Sequence, residues 1–480
     1  MERDANSLPP DGADEAAGDP VRMHDPTRMH RSAQDAARLT RTLADLSVSR
    51  LCDPVPLDRA ATFEALHAAV GQTVTEHGIG AEAAVAAWDD VLSRACLSTD
   101  HQRYLAFIPS APSKAAAAFD MLIGASSVYA GSWLEGAGAV YAENQALRWL
   151  ADLAGLPETA GGVFVQGGTA GNLGALVAAR SAVQHRRGRR PPRWTVLLSE
   201  ETHSSARHSL ESVMDVDVIV VPGDERGRAT GEAVADWAAA ATPDERDSVF
   251  AVVATAGTTN LGVVDDIAGI AEVCRRHGWW LHVDGAYGGA GLAAPSVRAL
   301  FAGIELADSF IVDPHKWLFA PFDACALLYR DPVVARAAHT QKAGYLDPVN
   351  VEGEWNPSDF AVHLSRRARG LPFWFSLAVH GTAAYTEAIE HTLAVAREGR
   401  RLIDDADHLR LLVEPDLTVL IFERIGWTPE EYVAWSSRLL DEGAAFVTPT
   451  RHHGRVCTRV AVVNPLTTVD DLQQVFDSMR

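Results

Sequence analysis

Between about residues 105 and 335 the chain alternates short apolar runs with segments of helical period, which constrains its fold more than any other feature. The apolar runs stand at 163–165, 195–198, 217–221, 249–255, 280–284, 309–313 and 324–329. Helix-period segments such as 172–186 and 265–277 follow several of them. This alternation predicts an α/β fold, a mainly parallel sheet with helices on both faces. Because ligands bind beyond the carboxyl ends of such strands, we expect the chemistry in the turns that follow them.

The flanks of this region differ in character and predict a domain organisation. Residues 1–30 are acidic and proline-rich, which indicates a disordered tail. Residues 31–104 carry Ala and Leu at helical spacing, which predicts an N-terminal helical arm. We expect a large domain over 105–362, ending in a long loop at 340–362, and a small C-terminal α/β domain over 363–480. The small domain should contain long helices over 376–409 and strands at 417–422 and 456–463.

Composition and charge exclude several classes of protein. A net charge of −21 argues against nucleic acid and anionic membranes as partners. The sequence has neither an 18-residue apolar stretch nor an apolar segment near its start, so we expect no membrane span and no signal peptide. Its five cysteines form no CxxC pair, which predicts reduced thiols in a cytoplasmic protein and neither a disulfide framework nor a metal site.

Lys316 is the first candidate for a reactive side chain, in a chain where only three of the 42 basic residues are lysine. It lies in VDPHKWLFAPF, between the apolar residues 310–312 and 317–319. Apolar surroundings disfavour the charged amine, so we predict that its pKa is lowered and that it serves as a nucleophile. The alternative is an ammonium group that reaches solvent or pairs with Asp313 or Asp323.

Four more strand-end turns carry residues that could surround a ligand. Asp284 in HVDGAYGG could pair with a ring nitrogen, the alternative being a helix N-cap. The turn QGGTAGN at 166–172 opens a helix and offers free N–H groups to a phosphate. His203 could stack on a planar ligand or act as an acid or base. Thr258 and Thr259 offer hydroxyls, and each of these signals is weak when taken alone.

Taken together, the order of these turns resembles that of fold-type I enzymes that depend on pyridoxal 5′-phosphate (PLP). Phosphate turn, histidine, threonine turn, aspartate and lysine follow one another, with the lysine about 30 residues after the aspartate. PHKW and HVDGAYGG are similar to motifs of the group II amino-acid decarboxylases, which include aromatic-L-amino-acid, histidine and glutamate decarboxylases. The resemblance covers residues 100–480. It implies a fold-type I architecture and decarboxylation of an L-amino acid to the amine and CO2.

The same resemblance implies roles for individual residues. Lys316 is joined to the cofactor, Asp284 pairs with the ring nitrogen, His203 stacks on the ring and Ala286 packs beneath it. The other implied cofactor-binding residues are Thr169, Ala170, Gly171, Thr259 and His315. The implied substrate pocket is lined by Phe107, Ile108, Pro109, Ser110, Tyr129 and Trp133, whose apolar character favours aromatic amino acids, with diaminobutyrate and acidic amino acids left open. A homodimer with a shared active site, closed by the loop 340–362, is also implied.

Two positions depart from the family pattern. Asp313 stands where many members have asparagine and adds a carboxylate near the phosphate. The catalytic tyrosine that members carry on a mobile loop aligns, with a two-residue gap, with Phe360. In the family this replacement is associated with capture of the intermediate by oxygen and release of an aldehyde. Alternatively, Tyr345 or a histidine such as His363 supplies the proton. An aminotransferase and a silent PLP-binding protein are further alternatives.

Overall fold

The computed structural model describes residues 27–30, 34–349 and 353–480. The tail predicted for residues 1–30 lies outside the described residues, apart from a short 3-10 turn at Arg28–His30. The helices are α1 Gln34–Cys52, α2 Phe63–Val70, α3 Ala81–Ala86, α4 Lys114–Ser126, α5 Trp133–Leu153, α6 Gly168–Arg187, α7 Ser204–His208, α8 Gly231–Ala240, α9 Pro243–Ser248, α10 Ile267–His277, α11 Pro332–His339, α12 Leu371–Asp404, α13 Pro429–Asp441 and α14 Val469–Asp477. The strands are β1 Gly161–Val165, β2 Thr195–Ser199, β3 Asp217–Val221, β4 Val249–Thr255, β5 Trp280–Asp284, β6 Ser309–Val312, β7 Cys325–Tyr329, β8 Leu409–Leu411, β9 Val419–Arg424, β10 Thr448–His452 and β11 Arg455–Ala461.

The large sheet contains the strands that the apolar runs predict. Its order is β1-β7-β6-β5-β4-β2-β3. Strands β2 to β6 pair in parallel, whereas β7 runs antiparallel to both of its neighbours, β1 and β6. Every residue of β4 and β5 is buried, as continuous apolar strands of a sheet covered on both faces should be. The predicted α/β architecture is therefore confirmed.

Helices cover the two faces of this sheet, and one of them begins at the edge where the site lies. Helix α6 packs against β1 and β4–β7 and, together with α11, covers one face. Helices α5, α8 and α10 cover the other face, where the larger apolar cluster lies. Since α6 begins directly after β1, its N-terminus lies at the edge where the parallel strands end.

A second sheet, of order β10-β11-β9-β8 and antiparallel throughout, forms with α13 and α14 the core of the C-terminal part. Strands β8 and β10, with the sequences LRL and TPTRH, are short edge strands that the apolar pattern does not predict. The long helix runs over Leu371–Asp404, five residues earlier than predicted, and breaks at Gly381, where φ is +74°. The domain boundaries at 104 and 362 remain a prediction.

The helices before residue 100 pack loosely on the rest of the chain. Helices α1, α2 and α3 contain no buried residue, and Phe63 of α2 is 76% exposed. Residues in such a position are free to contact another molecule. Within the residues that the structure describes, no helix is long and apolar enough to cross a membrane.

Candidate active site

A cavity of about 340 Å³ lies where the parallel strands end, and the predicted turns meet around it. The turns after β1, β2, β4, β5 and β6 each contribute side chains, as expected for a sheet whose strand ends point one way. The cavity is lined by Gln166, Gly167, Gly168, Thr169, Asn172, His203, Ser205, Thr255, Gly257, Thr259, Asp284, Ala286, Tyr287, Asp313, His315, Lys316, Phe322 and Asp323.

Lys316 contacts a carboxylate in this cavity and not the apolar residues that follow it in sequence. Its Nζ lies 2.9 Å from Oδ2 of Asp313. Trp317 and Leu318 are fully buried in the core beneath the sheet. Burial disfavours the charged amine, but Asp313 outweighs it, and the pKa of Lys316 is raised. The predicted lowering of this pKa is therefore wrong for the chain alone, and the alternative pairing with Asp313 is the one observed.

Asp313 points into the site. Its side chain is 1% exposed, and its Oδ2 accepts a hydrogen bond of 3.3 Å from the N–H of Gly168, the first residue of α6. Burial alone would raise the pKa of Asp313, yet the nearby charges of Lys316 and His315 hold it below the usual value. The additional carboxylate is thus ionised and lies directly beside the predicted phosphate turn.

Asp284 ends β5 and is 3% exposed. Its Oδ1 accepts from the N–H of Ala286 at 3.1 Å, and its Oδ2 accepts from Nδ2 of Asn172 at 2.9 Å. The 3-10 helix that follows is capped at Tyr287, so the alternative of a helix N-cap at Asp284 does not apply. The carboxylate therefore faces the cavity with two fixed N–H donors.

The N-terminus of α6 lies at the cavity, in the turn that is predicted to bind phosphate. The helix begins at Gly168, whose N–H donates to Asp313, and the N–H groups that follow it in the first turn are free to bind an anion. Thr169 lies on the cavity wall, whereas Ala170 and Gly171 do not. A Cβ on Gly171 would lie 2.8 Å from Sγ of Cys325, so this glycine allows α6 to pack closely on the sheet. Gly171 therefore packs α6 on the sheet, and its N–H already donates to the carbonyl oxygen of Gly167. The phosphate-binding roles of Ala170 and Gly171 remain predictions.

The two histidines of the cavity follow different parallel strands, His203 after β2 and His315 after β6. His203 caps α7, and its Nδ1 accepts from the N–H of Ser205 at 3.2 Å, so a neutral ring carries its proton on Nε2. His315 is 8% exposed, with Nδ1 2.7 Å from the carbonyl oxygen of Ala324. Burial lowers the pKa of His315 despite the nearby carboxylate of Asp313.

The predicted substrate strip does not lie on the wall of this cavity. Ser110 donates to the carbonyl oxygen of Ala320 at 2.9 Å, and Ile108 packs against the main core. Arg459 of β11, which sequence reasoning missed, donates to the carbonyl oxygen of Phe107 at 3.0 Å. The predicted strip residues that lie off the wall in a single chain are Phe107, Ile108, Pro109 and Ser110.

Tyr129 and Trp133 also lie away from the cavity of their own chain. The hydroxyl of Tyr129 donates to the carbonyl oxygen of Leu364 at 3.2 Å. The backbone N–H of Trp133, at the start of α5, donates to Oδ1 of Asn356 at 2.8 Å. Neither residue can line this site unless a second chain supplies it.

Phe360 is a core residue. Its side chain is 1% exposed, and its ring stacks on Trp355 with centroids 4.3 Å apart, on the face of the sheet that α6 covers. Tyr345, by contrast, is 76% exposed in a 3-10 turn at Gly344–Leu346. The expectation that Phe360 occupies a catalytic position on a mobile loop is corrected, because its ring is buried in the core of its own chain and does not line the cavity.

Several wall residues were not assigned to the cofactor site by sequence reasoning, among them Asn172, Tyr287, Phe322 and Asp323. Asn172 lies in the phosphate motif and Tyr287 in HVDGAYGG, so the sequence indicated that both are near the site. It did not indicate which way their side chains point. Phe322 and Asp323 precede β7, and the ring of Phe322 lies 5.0 Å from that of His315. They reach the cavity because β7 runs antiparallel, which brings its first residues to the edge where the other strands end.

These side chains fit the cofactor that the resemblance implies. One cavity holds an amine, a buried carboxylate with an accessible edge, and the free N–H groups of a helix N-terminus. The buried hydroxyl of Thr255, on the same wall, has no hydrogen-bond partner in the described part of the chain. In that part, no cluster of three metal-ligating side chains is present either.

Comparison with known proteins agrees with this arrangement. A family described as the pyridoxal-dependent decarboxylase conserved domain matches residues 70–425. The chain is 30% identical over 398 residues to the aromatic-L-amino-acid decarboxylase of Bacillus atrophaeus, covering 79% of this chain and 81% of the relative. It is 28% identical over 448 residues to the L-2,4-diaminobutyrate decarboxylase of Rhizobium meliloti (strain 1021), covering 91% and 89%. The crystal structure of Oryza sativa TDC with PLP and tryptamine has the same fold, with a TM-score of 0.85, 24% identity and coverage of 94% and 98%.

Proposed function

The chain belongs to the pyridoxal-dependent decarboxylase family and is a PLP-dependent carboxy-lyase of the fold-type I architecture, and from this premise we propose that it converts an aromatic L-amino acid to the amine and CO2. The observation that carries the proposal is the meeting of Lys316, Asp284 and the α6 N-terminus on one cavity wall. When bound, the cofactor supplies an electron-withdrawing ring that stabilises the charge left on Cα as CO2 departs.

The chain's own residues hold and orient the reactants. Lys316 would provide the amine that binds the cofactor aldehyde, and Asp284 would accept a hydrogen bond from the protonated ring nitrogen. The free N–H groups at the start of α6 and the neighbouring His315 bind the phosphate. His203 and Ala286, which both line the cavity, would hold the ring between them and so orient the bond that breaks.

Return of a proton to Cα decides between the amine and the oxidative alternative. Phe360 is buried in the core, so the absence of a hydroxyl at this position is not evidence for the oxidative route. His363 donates to the carbonyl oxygen of Pro357, and burial lowers its pKa to about 4, so it holds no second proton at neutral pH. Tyr345 has the exposure that a mobile donor needs. We assign the proton to Tyr345 and the product to the amine.

The site is proposed to be completed by a second copy of the chain. Tyr129, Trp133 and Tyr345 lie off the cavity wall of their own chain, and α1–α3 have no buried residue. A homodimer in which each chain's loop 340–362 closes the partner's pocket accounts for both observations. The mass of the particle in solution, measured by light scattering, should be twice 51.5 kDa.

An aromatic substrate is favoured by the aromatic side chains near the cavity. Phe322 on the wall is 53% exposed, and Phe107 of the predicted substrate strip is 56% exposed, so both rings are free to pack on a flat side chain. 2,4-Diaminobutyrate and acidic amino acids are the alternative substrates. We place the reaction in the cytoplasm, because all five cysteines are free thiols, two of them exposed.

A panel of amino acids assayed together for CO2, amine, aldehyde and peroxide tests these assignments. We expect amine in stoichiometric yield with CO2 from aromatic substrates. Tyr345→Phe should lower amine yield and release aldehyde and peroxide, whereas Phe360→Tyr, its matched change in the core, should leave the product unaltered. Aldehyde from the unaltered protein, suppressed by Phe360→Tyr, would reverse the assignment.

The remaining alternatives give different results in the same assay. An aminotransferase would need a keto acid to turn over, whereas a decarboxylase would not. A silent PLP-binding protein would release no CO2 from any amino acid. Lys316→Ala should abolish the protein-bound imine absorbance, and its survival in that variant would favour the silent protein.

A further inference from the structure

A row of buried polar side chains runs from the interior of the large domain to Asp284. Its members come from β5, β6 and α6, and none is more than 4% exposed. Nε1 of Trp280 lies 2.8 Å from Oγ of Ser309, which lies 2.8 Å from Nδ1 of His282. Nε2 of His282 lies 2.8 Å from Oδ1 of Asn172, whose Nδ2 lies 2.9 Å from Oδ2 of Asp284.

The two ends of this row fix the direction of every hydrogen bond in it. An indole N–H can only donate, and an ionised carboxylate can only accept. Asn172 must therefore turn its NH2 group to Asp284 and its carbonyl to His282, so that His282 donates from Nε2. Ser309, which accepts from Trp280, has its own proton left to donate to Nδ1 of His282.

His282 can occupy one protonation state only in this row. It is 0% exposed, and burial lowers its pKa to about 4 although Asp284 is near, so the ring is neutral at neutral pH. Since Ser309 donates to Nδ1, the single proton of the neutral ring sits on Nε2. Without that hydroxyl, the proton is free to move to Nδ1, which would place two acceptors, Nε2 of His282 and Oδ1 of Asn172, against each other.

We propose that Trp280, Ser309, His282 and Asn172 are positioning residues that hold the carboxylate of Asp284 aimed at the protonated ring nitrogen. The inference rests on the proposed function, in which Asp284 is the partner of that nitrogen. The proposal implies that a residue outside the site affects Asp284. Ser309 does not line the cavity and does not contact Asp284, yet it determines which atoms carry the hydrogens along the row.

The test compares two ligands of the apo protein, PLP and its analogue with carbon in place of the ring nitrogen. The ratio of their dissociation constants, obtained by titration of the full chain, reports the ring nitrogen alone. We expect the unaltered protein to prefer PLP, and Ser309→Ala and Asn172→Leu to reduce that preference at least tenfold. Ser309→Thr, which keeps the hydroxyl, should retain it, as should Ser199→Ala, which removes a hydroxyl of equal burial on β2.

The outcomes separate the two ideas. Equal binding of both ligands by the unaltered protein would overturn the role of Asp284 and the row together. A preference for PLP that survives in Ser309→Ala and Asn172→Leu would overturn the row alone. A second measurement requires no folded variant of Ser309: 15N NMR of histidine-labelled protein, with His282 assigned through His282→Gln, should show a protonated Nε2. A protonated Nδ1 would contradict the proposal.

Discussion

At the scale of single residues, the charge on Lys316 governs how the cavity takes up its cofactor. Only a neutral amine can attack an aldehyde, and Asp313, 2.9 Å away, stabilises the charged form. The ion pair with Asp313 therefore keeps the amine of Lys316 protonated and unreactive until the cofactor binds. Sequence reasoning gave the pairing with Asp313 only as the alternative, because its main prediction assumed that neighbours along the chain are neighbours in space. In the tight turn 313–319, Trp317 and Leu318 point into the core, and Lys316 points to the cavity.

The Asp313→Asn variant tests this effect of the ion pair. Without the carboxylate the pKa of Lys316 falls, so a larger fraction of the amine is neutral at any pH below that value. We expect the pH at which cofactor uptake reaches half its maximal rate to move downward. At a fixed pH below the pKa, uptake should become roughly tenfold faster for each pH unit by which the pKa falls. Stopped-flow absorbance of the bound imine measures it.

Asp323→Asn provides the matched control, since Asp323 is a wall carboxylate paired with Arg369 and not with Lys316. A change in uptake that is the same at all pH values in Asp313→Asn would point to relief of repulsion toward the phosphate instead. An unshifted pH profile would contradict this role of Asp313.

At the scale of elements, α6 serves both the cavity and the core, and its glycines divide these tasks. A Cβ on Gly168 would lie 3.2 Å from Oδ2 of Asp313 and 3.3 Å from Cβ of Ala286, at the cavity. A Cβ on Gly171 would lie 2.8 Å from Sγ of Cys325 and 3.0 Å from Cγ2 of Ile311, against the sheet. One turn of helix thus separates a residue that leaves room for a ligand from one that leaves room for β6 and β7.

Gly168→Ala and Gly171→Ala should therefore have different effects. We expect Gly168→Ala to weaken PLP binding several-fold with little loss of stability. Gly171→Ala should lower the free energy of unfolding of the apo protein by about 1–3 kcal/mol, the usual cost of overpacking. Cofactor titration and chemical denaturation of both variants measure the two effects, and identical profiles would contradict the division of tasks.

The strands of the large sheet were predictable because each contains a short apolar run, and the central strands β4 and β5 are buried on both faces. The turns that carry the site followed from the same pattern. Strands β8 and β10 were not predictable, since their sequences LRL and TPTRH carry exposed polar residues at an edge. Phe360 was misplaced because its alignment rested on a gap, and no periodicity in SDFAV indicated a buried ring. The contribution of β7 to the cavity needed the antiparallel pairing, which sequence alone does not reveal.

At the scale of the whole molecule, the stability of the fold depends on pH through buried neutral histidines. Burial lowers the pKa of His282 and of His363 to about 4 in the folded chain. In the unfolded chain both titrate near 6.5, so between these values the unfolded state binds more protons than the folded state. The free energy of unfolding must therefore fall as pH decreases from about 6.5 toward 4.

The expected size of this effect is about 3 kcal/mol for each histidine over the full window, because a tenfold change in a proton-binding constant corresponds to about 1.4 kcal/mol. Chemical denaturation at pH 7 and at pH 4.5 should reveal the fall, and His363→Gln, away from the cavity, should make it shallower. A pH dependence unchanged in that variant would show that His363 titrates normally in the folded chain.

The central claim is that the amine of Lys316 is covalently joined to PLP. The chain has only two other lysines, Lys114 and Lys342, so reduction of the cofactor-loaded protein with borohydride and peptide mapping gives an unambiguous answer. We predict one equivalent of reduced pyridoxyl label per chain, on the peptide that contains residues 312–325. Label on Lys114 or Lys342, or none on any peptide, would contradict the account.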